Sequence, residues 1–239
     1  MIAEQLQYLT QENRTWGFGL CYLYLRNVAG FFWNHKRVYR VYCELKLNLR
    51  IKPKQRLVRE KPVPLQVPSS SNQVWSMDFM HDQLTDGRSI RLLNVLDNYN
   101  REALGMEIDF SLPTRRVILA LERIIEWRGK PHAIMLDNGP EYTALQFIQW
   151  AKDNDIALRF SQPGKPQQNA YVERFNRTVR YDWLAQHLFD SLAEVQYHAT
   201  QWLWVYNRIR PNMAIGGITP HMKLQQQQAV FEQATSCLH

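Results

Sequence analysis

The order of strand-like and helix-like segments after residue 73 most strongly constrains the fold of this chain. Three apolar segments with strand character come first, and the turn signal Asp86-Gly87 precedes the second of them. Helical and strand patterns then alternate, and two long helical patterns follow. This order indicates an α/β domain with a mixed sheet. The predicted strands are 74–80, 89–96, 103–108, 132–136 and 156–160, and the predicted helices are 113–127, 143–152, 169–188 and 192–206.

Residues 1–50 are predicted to form a small all-α domain. Helical patterns cover 6–12, 16–26 and 34–47, and Asn34 suits the N-cap of the third helix because its side chain can accept from the first-turn amides. A helix, a turn and a second helix with a basic opening is typical of a helix-turn-helix. A small helical bundle with a solvated basic face has the same pattern. The third helix combines the apolar Val38, Val41, Tyr42 and Leu45 with the basic Lys36, Arg37 and Arg40.

The basic residues are concentrated in the first quarter of the chain. Residues 1–62 contain 12 Lys and Arg against 4 Asp and Glu, whereas residues 63–239 contain 17 against 18, so the net charge of +7 arises at the N-terminal end. This asymmetry favours binding to a polyanion, most simply DNA or RNA, over a basic surface kept for solubility. Residues 51–72 are rich in Pro and Ser and are predicted to be a linker. The predicted core is then 73–190, followed by a C-terminal helix and tail over 191–239.

Several classes of protein are not indicated. No apolar run approaches the roughly 18 residues that a membrane span requires, and no signal peptide opens the chain. Three widely spaced cysteines fit a reducing cytosol better than a disulfide framework. Cys21, His35 and Cys43 lack the spacing of a zinc site, and neither a nucleotide-binding nor a dinucleotide-binding glycine motif is present.

Three carboxylates occupy unusual positions in the predicted core. Asp78 lies inside an apolar strand, Asp137 directly follows another strand, and Glu173 lies in a helix. A charge in an apolar strand must be paired, bound to a metal or placed at the open end of the sheet. If the three acids converged on a pair of divalent cations, they would suit cleavage or transfer of a phosphodiester, and no covalent nucleophile would be required. Taken singly, each acid is equally compatible with an N-cap or a surface ion pair.

The spacing of these acids and the sequences around them resemble a known family. Asp78 and Asp137 are separated by 58 residues, and Asp137 and Glu173 by 35. This arrangement resembles the D-D-35-E triad of retroviral integrases and related transposases. Five local sequences resemble bacterial insertion-sequence transposases of the IS-three family, in its OrfB product. They are Trp-Ser-Met-Asp at 75–78, Leu-Asp-Asn-Gly-Pro-Glu-Tyr at 136–142, the segment 162–174 that ends in Tyr-Val-Glu-Arg, Tyr-Asn-Arg-Ile-Arg-Pro-Asn at 206–212, and Asn-His-Lys-Arg-Val-Tyr-Arg at 34–40.

The resemblance covers roughly residues 15–224 and implies both a fold and a reaction. The implied fold is a ribonuclease-H-like core, a mixed five-stranded sheet flanked by helices, preceded by the helix-turn-helix-like domain. The implied reaction cuts DNA at the element ends with water and joins the freed 3′-hydroxyl to a new phosphate. Asp78, Asp137 and Glu173 would bind two Mg²⁺ or Mn²⁺ ions.

The resemblance also implies partners and a location. The partners are DNA, both the terminal repeats of the element and its target, an OrfA product or OrfA–OrfB fusion, and further copies of the chain when DNA is bound. The location is the bacterial cytoplasm. Six basic residues are candidates for DNA contact: Lys165, Arg174, Arg177, Lys36, Arg37 and Arg40.

Three alternatives share much of this sequence evidence. One is a catalytically silent DNA-binding regulator derived from a transposase. Another is a ribonuclease-H-like nuclease that cuts but does not join. The third is a nucleic-acid-binding module whose core is only a scaffold.

Overall fold

The computed structural model describes residues 1–49, 67–162 and 169–236. In this part of the chain five strands form one sheet in the order β3-β2-β1-β4-β5. The first three strands are antiparallel, whereas β1, β4 and β5 run parallel. The predicted mixed five-stranded sheet is therefore confirmed. The strands are β1 Val74–Gln83, β2 Ser89–Asp97, β3 Ala103–Asp109, β4 Ala133–Leu136 and β5 Ala157–Phe160.

Helices precede the sheet, cover both of its faces and follow it. None of the described helices is long and apolar enough to cross a membrane. The helices are α1 Ile2–Glu12, α2 Phe18–Leu23, α3 His35–Glu44, α4 Thr114–Arg128, α5 Pro140–Thr143, α6 Leu145–Asp153, α7 Ala170–Asp182, α8 Leu192–Arg208 and α9 Pro220–Ser236, with a π-helical turn at Tyr24–Val28 and 3-10 turns at Leu184–Gln186 and Met213–Ile215.

The strands of the sheet bury a different apolar set on each face, because successive side chains of a strand point to opposite sides. Trp75 and Met77 of β1 pack in one cluster with α4, α5 and α6. Leu92 and Leu96 of β2 pack in a second cluster with α7 and α8. Asp78 follows Met77 and therefore faces the second side, towards α7. The alternation of side chains along β1 therefore determines that Asp78 faces α7.

The N-terminal helices have a third apolar cluster of their own. Val38 and Tyr42 of α3 are buried in it, as the predicted apolar face of this helix requires. Asn34 is the N-cap of α3, and its side chain accepts from the Lys36 amide at 2.9 Å. The cluster also contacts the C-terminal part of the chain. Ile209, just after α8, packs against it, and the Asn27 side chain donates to the Gly217 carbonyl at 2.8 Å.

Several predicted helices have different bounds in the structure; α1 begins at Ile2 and α3 ends at Glu44. The pattern over 169–188 is wrong at its end, because α7 stops at Asp182, where the chain turns to bury Trp183. Instead of one helix over 143–152, the chain has α5 and α6, separated by an extended Ala144. The helix predicted over 16–26 begins at Phe18 and continues as the π-helical turn. Most of the predicted linker, 51–72, lies outside the described residues.

Candidate active site

The register of the central strands places Asp78 and Asp137 at the same end of the sheet. Parallel β1 and β4 pair as far as Ser76 with Met135. Asp78 and Asp137 lie two residues beyond Ser76 and Met135. Because side chains alternate between the faces of a sheet, both acids are expected to point to the same face as that last pair. Carboxyl ends of parallel strands in open α/β sheets are where ligands bind. The pairing therefore accounts for the convergence of two acids that are distant in sequence.

A chain of buried amides holds the Asp78 carboxylate. Asn94 lies directly opposite Asp78 on β2. Its Nδ2 donates to Oδ1 of Asn176 at 2.7 Å, and Nδ2 of Asn176 donates to Oδ2 of Asp78 at 2.8 Å. The other Asp78 oxygen accepts from the Phe79 amide at 2.8 Å. Because each amide donates in the same direction, the network ends on the carboxylate and fixes its orientation.

We expect Asn176→Ala to destabilise the protein by about 1–3 kcal/mol, because it leaves the buried Asn94 amide and the Asp78 carboxylate without a shared partner. Urea unfolding at pH 7 measures this change in the free energy of unfolding. Thr178→Ala is the matched control on the same helix, because the Thr178 hydroxyl is exposed and bonds only to the Arg174 carbonyl of its own helix. Equal stabilities of the two variants would show that the amide chain contributes nothing to the fold.

Helix α7 carries the third acid and is attached to the sheet beside Asp78. Asn169, at its N-terminus, donates from Nδ2 to the Met77 carbonyl at 3.3 Å. Val172 and Phe175 are buried beneath the helix, so Glu173 between them is on its exposed side. The Arg101 guanidinium lies 3.4 Å from the centroid of the Tyr171 ring, two residues before Glu173. The first turn of α7 is therefore fixed although its third acid faces solvent.

The electrostatics of the site are those of acids held near one another. Burial, together with the negative charges of Asp137 and Glu173, raises the pKa of Asp78 to about 6 against the opposing hydrogen bonds from Phe79 and Asn176. Partial burial also raises the pKa of Glu173, while Arg177 lowers it. Among the described residues no Lys or Arg forms an ion pair with any of the three acids. No described basic side chain therefore neutralises these acids by an ion pair.

The three acids are near enough to interact electrostatically, but they are not closed into a cage. Among the residues with described positions, no group of three or more His, Cys, Asp or Glu is close enough to hold a metal ion. Carboxylate oxygens are nevertheless the ligands that Mg²⁺ and Mn²⁺ prefer. The donor chemistry therefore fits a hard divalent cation, and closure of the site requires movement of the side chains.

The segment after Asp137 is built on hydrogen bonds to that acid and to β5. The Gly139 amide donates to Oδ1 of Asp137 at 3.0 Å, and Asn138 donates from Nδ2 to the Ser161 carbonyl at 3.0 Å. Further along, Glu141 forms an ion pair with Arg91 of β2, with 2.6 Å between Oε1 of Glu141 and Nη1 of Arg91. These contacts give Asn138 and Gly139 roles in the shape of the loop, as their positions in the sequence suggest.

A basic cleft opens on the exposed side of α7. It has a volume of about 470 Å³ and lies between α7, the N-terminal helices and the segment after α8. Arg210 is paired with Asp182, whereas Arg174 and Arg177 form no described ion pair. Among the charged side chains of the cleft are Arg101, Glu173, Arg174, Arg177 and Arg210.

The other predicted DNA-contacting residues lie elsewhere or outside the description. Lys36, Arg37 and Arg40 are exposed on α3, where Arg40 forms a 3.5 Å ion pair with Glu44. Lys165 lies outside the described residues. Asp97 accepts from the Asn72 and Tyr99 amides at 2.8 Å and so fixes the turn after β2.

Sequence reasoning does not identify two amides and a phenol at this site. Asn94 carries the same signal as Asp78, a polar residue within an apolar strand, but it is neutral and easily overlooked. Asn176 shares the helical spacing of Glu173, yet it points inward. Tyr142 is fully buried, and in the part of the chain that the structure describes its hydroxyl has no hydrogen-bond partner, which no sequence pattern reveals.

Family comparison identifies the core independently of this geometry. Residues 68–166 match one family model described as an integrase core domain, and residues 154–220 match a second with the same description. The chain is also similar in fold to a subunit of the simian T-cell lymphotropic virus intasome, with a TM-score of 0.58 and 17% identity over 94% of this chain and 74% of that one. The HTLV-2 integrase catalytic core domain is similar with a TM-score of 0.51 and 20% identity, over 63% of this chain and 94% of that one.

Curated relatives come from bacterial insertion elements. A 31.7 kDa protein of insertion element IS407 from Burkholderia multivorans is 36% identical over 92% of this chain and 79% of its own length. A 39.2 kDa protein of IS476 from Xanthomonas euvesicatoria is 35% identical over 92% of this chain and 63% of its own length. The putative transposase InsK of IS150 from Escherichia coli is 26% identical over 78% of this chain and 70% of its own length.

Fold and family match together define the class of protein, an enzyme with a ribonuclease-H-like integrase core. The relatives then define the family. The chain belongs to the bacterial insertion-sequence transposases and is a polynucleotidyl transferase of the DDE transposase and integrase class.

Proposed function

We propose that this transposase cuts and joins DNA strands at a site formed by Asp78, Asp137 and Glu173. The observation that carries the proposal is the environment of Asp78. This half-buried carboxylate lies in the central strand, is oriented by Asn176, and has two further acids within electrostatic range. Such a charge costs free energy in the resting protein unless positive charge is supplied. A site of this kind is expected where a cation and a phosphodiester bind.

We propose that the three acids hold two Mg²⁺ or Mn²⁺ ions. Asp78 and Asp137 would bind from the sheet, and Glu173 from α7. When bound, such ions supply Lewis-acid stabilisation of charge on the phosphate and favour ionisation of the attacking water or 3′-hydroxyl. Asn176 keeps the Asp78 carboxylate facing α7, and the Gly139 amide donates to one oxygen of Asp137. Both hydrogen bonds restrict the orientations that these two carboxylates adopt.

The proposed substrate is DNA, comprising the ends of the source element and a target duplex. The cleft beside Glu173 supports this proposal, because Arg174 and Arg177 border it without a described acidic partner. Arginines in such positions commonly contact phosphates, and Lys165 is proposed to do the same from the adjoining segment. Two element ends must be handled together, so we propose that at least two copies act on DNA, with an OrfA product or OrfA–OrfB fusion as a further partner.

The basic opening of α3 is proposed as a second contact with the DNA backbone. We expect Lys36→Gln/Arg37→Gln to reduce affinity for duplex DNA about tenfold or more and to lower the slope of log affinity against log salt by roughly 1.8, because two phosphate contacts are lost. Lys130→Gln/Lys152→Gln removes the same charge from the loop after α4 and from α6 as a control. Fluorescence anisotropy over a salt series measures both quantities. Identical slopes for the two double variants would show that α3 does not contact phosphate.

The reaction is tested with labelled duplexes carrying the ends of the source element, incubated with Mn²⁺ and a target duplex. The proposal predicts shortened products from cleavage and longer products from joining. A nuclease of the same fold gives only shortened products, whereas a silent regulator or a nucleic-acid-binding scaffold binds the duplex and changes neither length. Adding the OrfA–OrfB fusion shows whether joining requires that partner.

A further inference from the structure

Tyr142 has a hydroxyl group without a partner among the described residues. Its side chain is fully buried, and the oxygen makes no hydrogen bond within residues 1–49, 67–162 and 169–236. A buried hydroxyl without a partner destabilises a fold, and phenylalanine would fill the same space without this penalty. Packing alone therefore does not account for the hydroxyl.

The phenol is held in one orientation by a stack of three side chains. The Phe79 ring lies parallel to the Tyr142 ring, with a centroid separation of 5.2 Å and an interplanar angle of 7°. On Phe79 the Arg91 guanidinium lies 4.2 Å from the ring centroid, and Arg91 also pairs with Glu141 at 2.6 Å. The Tyr142 ring is therefore held in a stack that includes groups from β1, β2 and α5.

This stack connects the two acids of the sheet. Phe79 follows Asp78 directly, and its amide donates to that carboxylate. Tyr142 lies five residues after Asp137, and its amide donates to the Gly139 carbonyl at 3.0 Å, while the Gly139 amide donates to Asp137. A Cβ atom added to Gly139 would lie 3.1 Å from Oδ1 of Asp137 and 3.4 Å from Cδ2 of Tyr142. The Tyr142 ring and the Asp137 carboxylate therefore both lie close to Gly139.

The acids have hydrogen-bonding capacity left for such a donor. Both Asp78 oxygens already accept one hydrogen bond each, and one Asp137 oxygen accepts from Gly139. Each carboxylate oxygen can accept a second hydrogen bond. The negative charges of Asp78 and Asp137 also raise the pKa of the Tyr142 phenol, in addition to the larger effect of its burial, so the group remains a protonated donor at neutral pH.

We propose that Tyr142 is a positioning residue of the acidic site, whose hydroxyl donates a hydrogen bond to a carboxylate oxygen of the Asp78–Asp137 pair when that pair binds a divalent cation. The inference rests on the proposed function of the two acids as metal ligands. Hydrogen bonds from outside the coordination sphere orient the ligands of a metal, and their loss typically costs about 10- to 100-fold in affinity or activity. In the metal-free protein the donor remains unpaired and lowers stability.

Tyr142→Phe tests this proposal, because it removes one oxygen and keeps the stacked ring. We expect the metal-free variant to melt at or above the temperature of the wild type, to bind Mn²⁺ about 10- to 100-fold more weakly by calorimetric titration, and to lose kcat in strand joining by a similar factor. Tyr42→Phe is the control for stability and Mn²⁺ affinity. The Tyr42 hydroxyl donates to the Leu47 carbonyl at 2.7 Å in the N-terminal cluster, so this variant is expected to lose stability and keep its Mn²⁺ affinity.

Each result supports or overturns the proposal. A lower melting temperature of metal-free Tyr142→Phe would show that the hydroxyl has a partner in the resting fold and would overturn it. Unchanged Mn²⁺ affinity would overturn it as well, whether or not the preparation joins DNA. Failure of the proposed function itself is recognised separately, because Asp78→Asn would then bind Mn²⁺ as the wild type does.

Discussion

Asp78→Asn is expected to abolish DNA cleavage and joining while leaving the metal-free protein at least as stable as the wild type. The activity loss is at least about 10³-fold, since a ligand of the proposed cations would contribute several kcal/mol to transition-state stabilisation. The stability gain follows from the environment of the acid. Burial and neighbouring negative charges raise its pKa from 3.8 to about 6, so at pH 7 the ionised form costs on the order of 1–3 kcal/mol. Asparagine retains an oxygen acceptor without the charge.

Thermal melting in the presence of EDTA and strand joining in Mn²⁺ measure the two effects in one preparation. Asp82→Asn is the matched control, because Asp82 lies on the same strand four residues further on and accepts only from the adjacent Gln83 amide. We expect this control to keep both activity and stability. If Asp78→Asn lost stability together with activity, the acid would be structural, and a metal-binding role would lose its main support.

The sheet was predictable from the sequence because its strands are short apolar segments bounded by turn signals. The acids were predictable for the same reason, since Asp78 interrupts an apolar strand and Asp137 ends one. Their convergence follows from parallel pairing of β1 with β4, which a sequence pattern does not give by itself. The spacing of the three acids resembles that of a known family, and this resemblance indicated that they converge on one site.

Helix ends and one whole helix were less accessible to sequence reasoning. The helical pattern continues past Asp182, but burial of Trp183 between Phe189 and Trp202 turns the chain and ends α7. Helix α9 was not predicted as an element, although Thr219 and Pro220 provide a start signal, with the Thr219 hydroxyl accepting from the Met222 amide at 3.2 Å. Its apolar periodicity is weak, so the usual pattern was absent.

The supporting residues of the site depend on three-dimensional contacts. Asn94 and Asn176 are separated by 82 positions and meet only because α7 packs across the face of β1 and β2. The Tyr142 hydroxyl is recognised as lacking a described partner only once the packing of its ring on Phe79 is known. Such features arise from packing, which local propensity and periodicity do not encode.

Glu173→Gln has the second largest expected effect, a loss of at least about 10³-fold in both cleavage and joining. The substitution keeps the size of the side chain and removes its charge. Glu173 is exposed on α7, while the neighbouring Val172 and Phe175 anchor the helix, so the fold is expected to be unchanged. Glu126→Gln on α4, also exposed, is the control that removes an equal charge away from the site.

The most direct test of the account is strand joining from a pre-cut element end, which requires no prior cleavage. Wild-type protein, Glu173→Gln and Glu126→Gln are each incubated with Mn²⁺, a labelled pre-cut end and an unlabelled target duplex. The OrfA–OrfB fusion is also present in each reaction, and it carries the same substitution as the protein under test. The account predicts longer labelled products from the wild type and Glu126→Gln, and none from Glu173→Gln. Joining by Glu173→Gln at the wild-type rate would contradict the assignment of Asp78, Asp137 and Glu173 as the strand-transfer site.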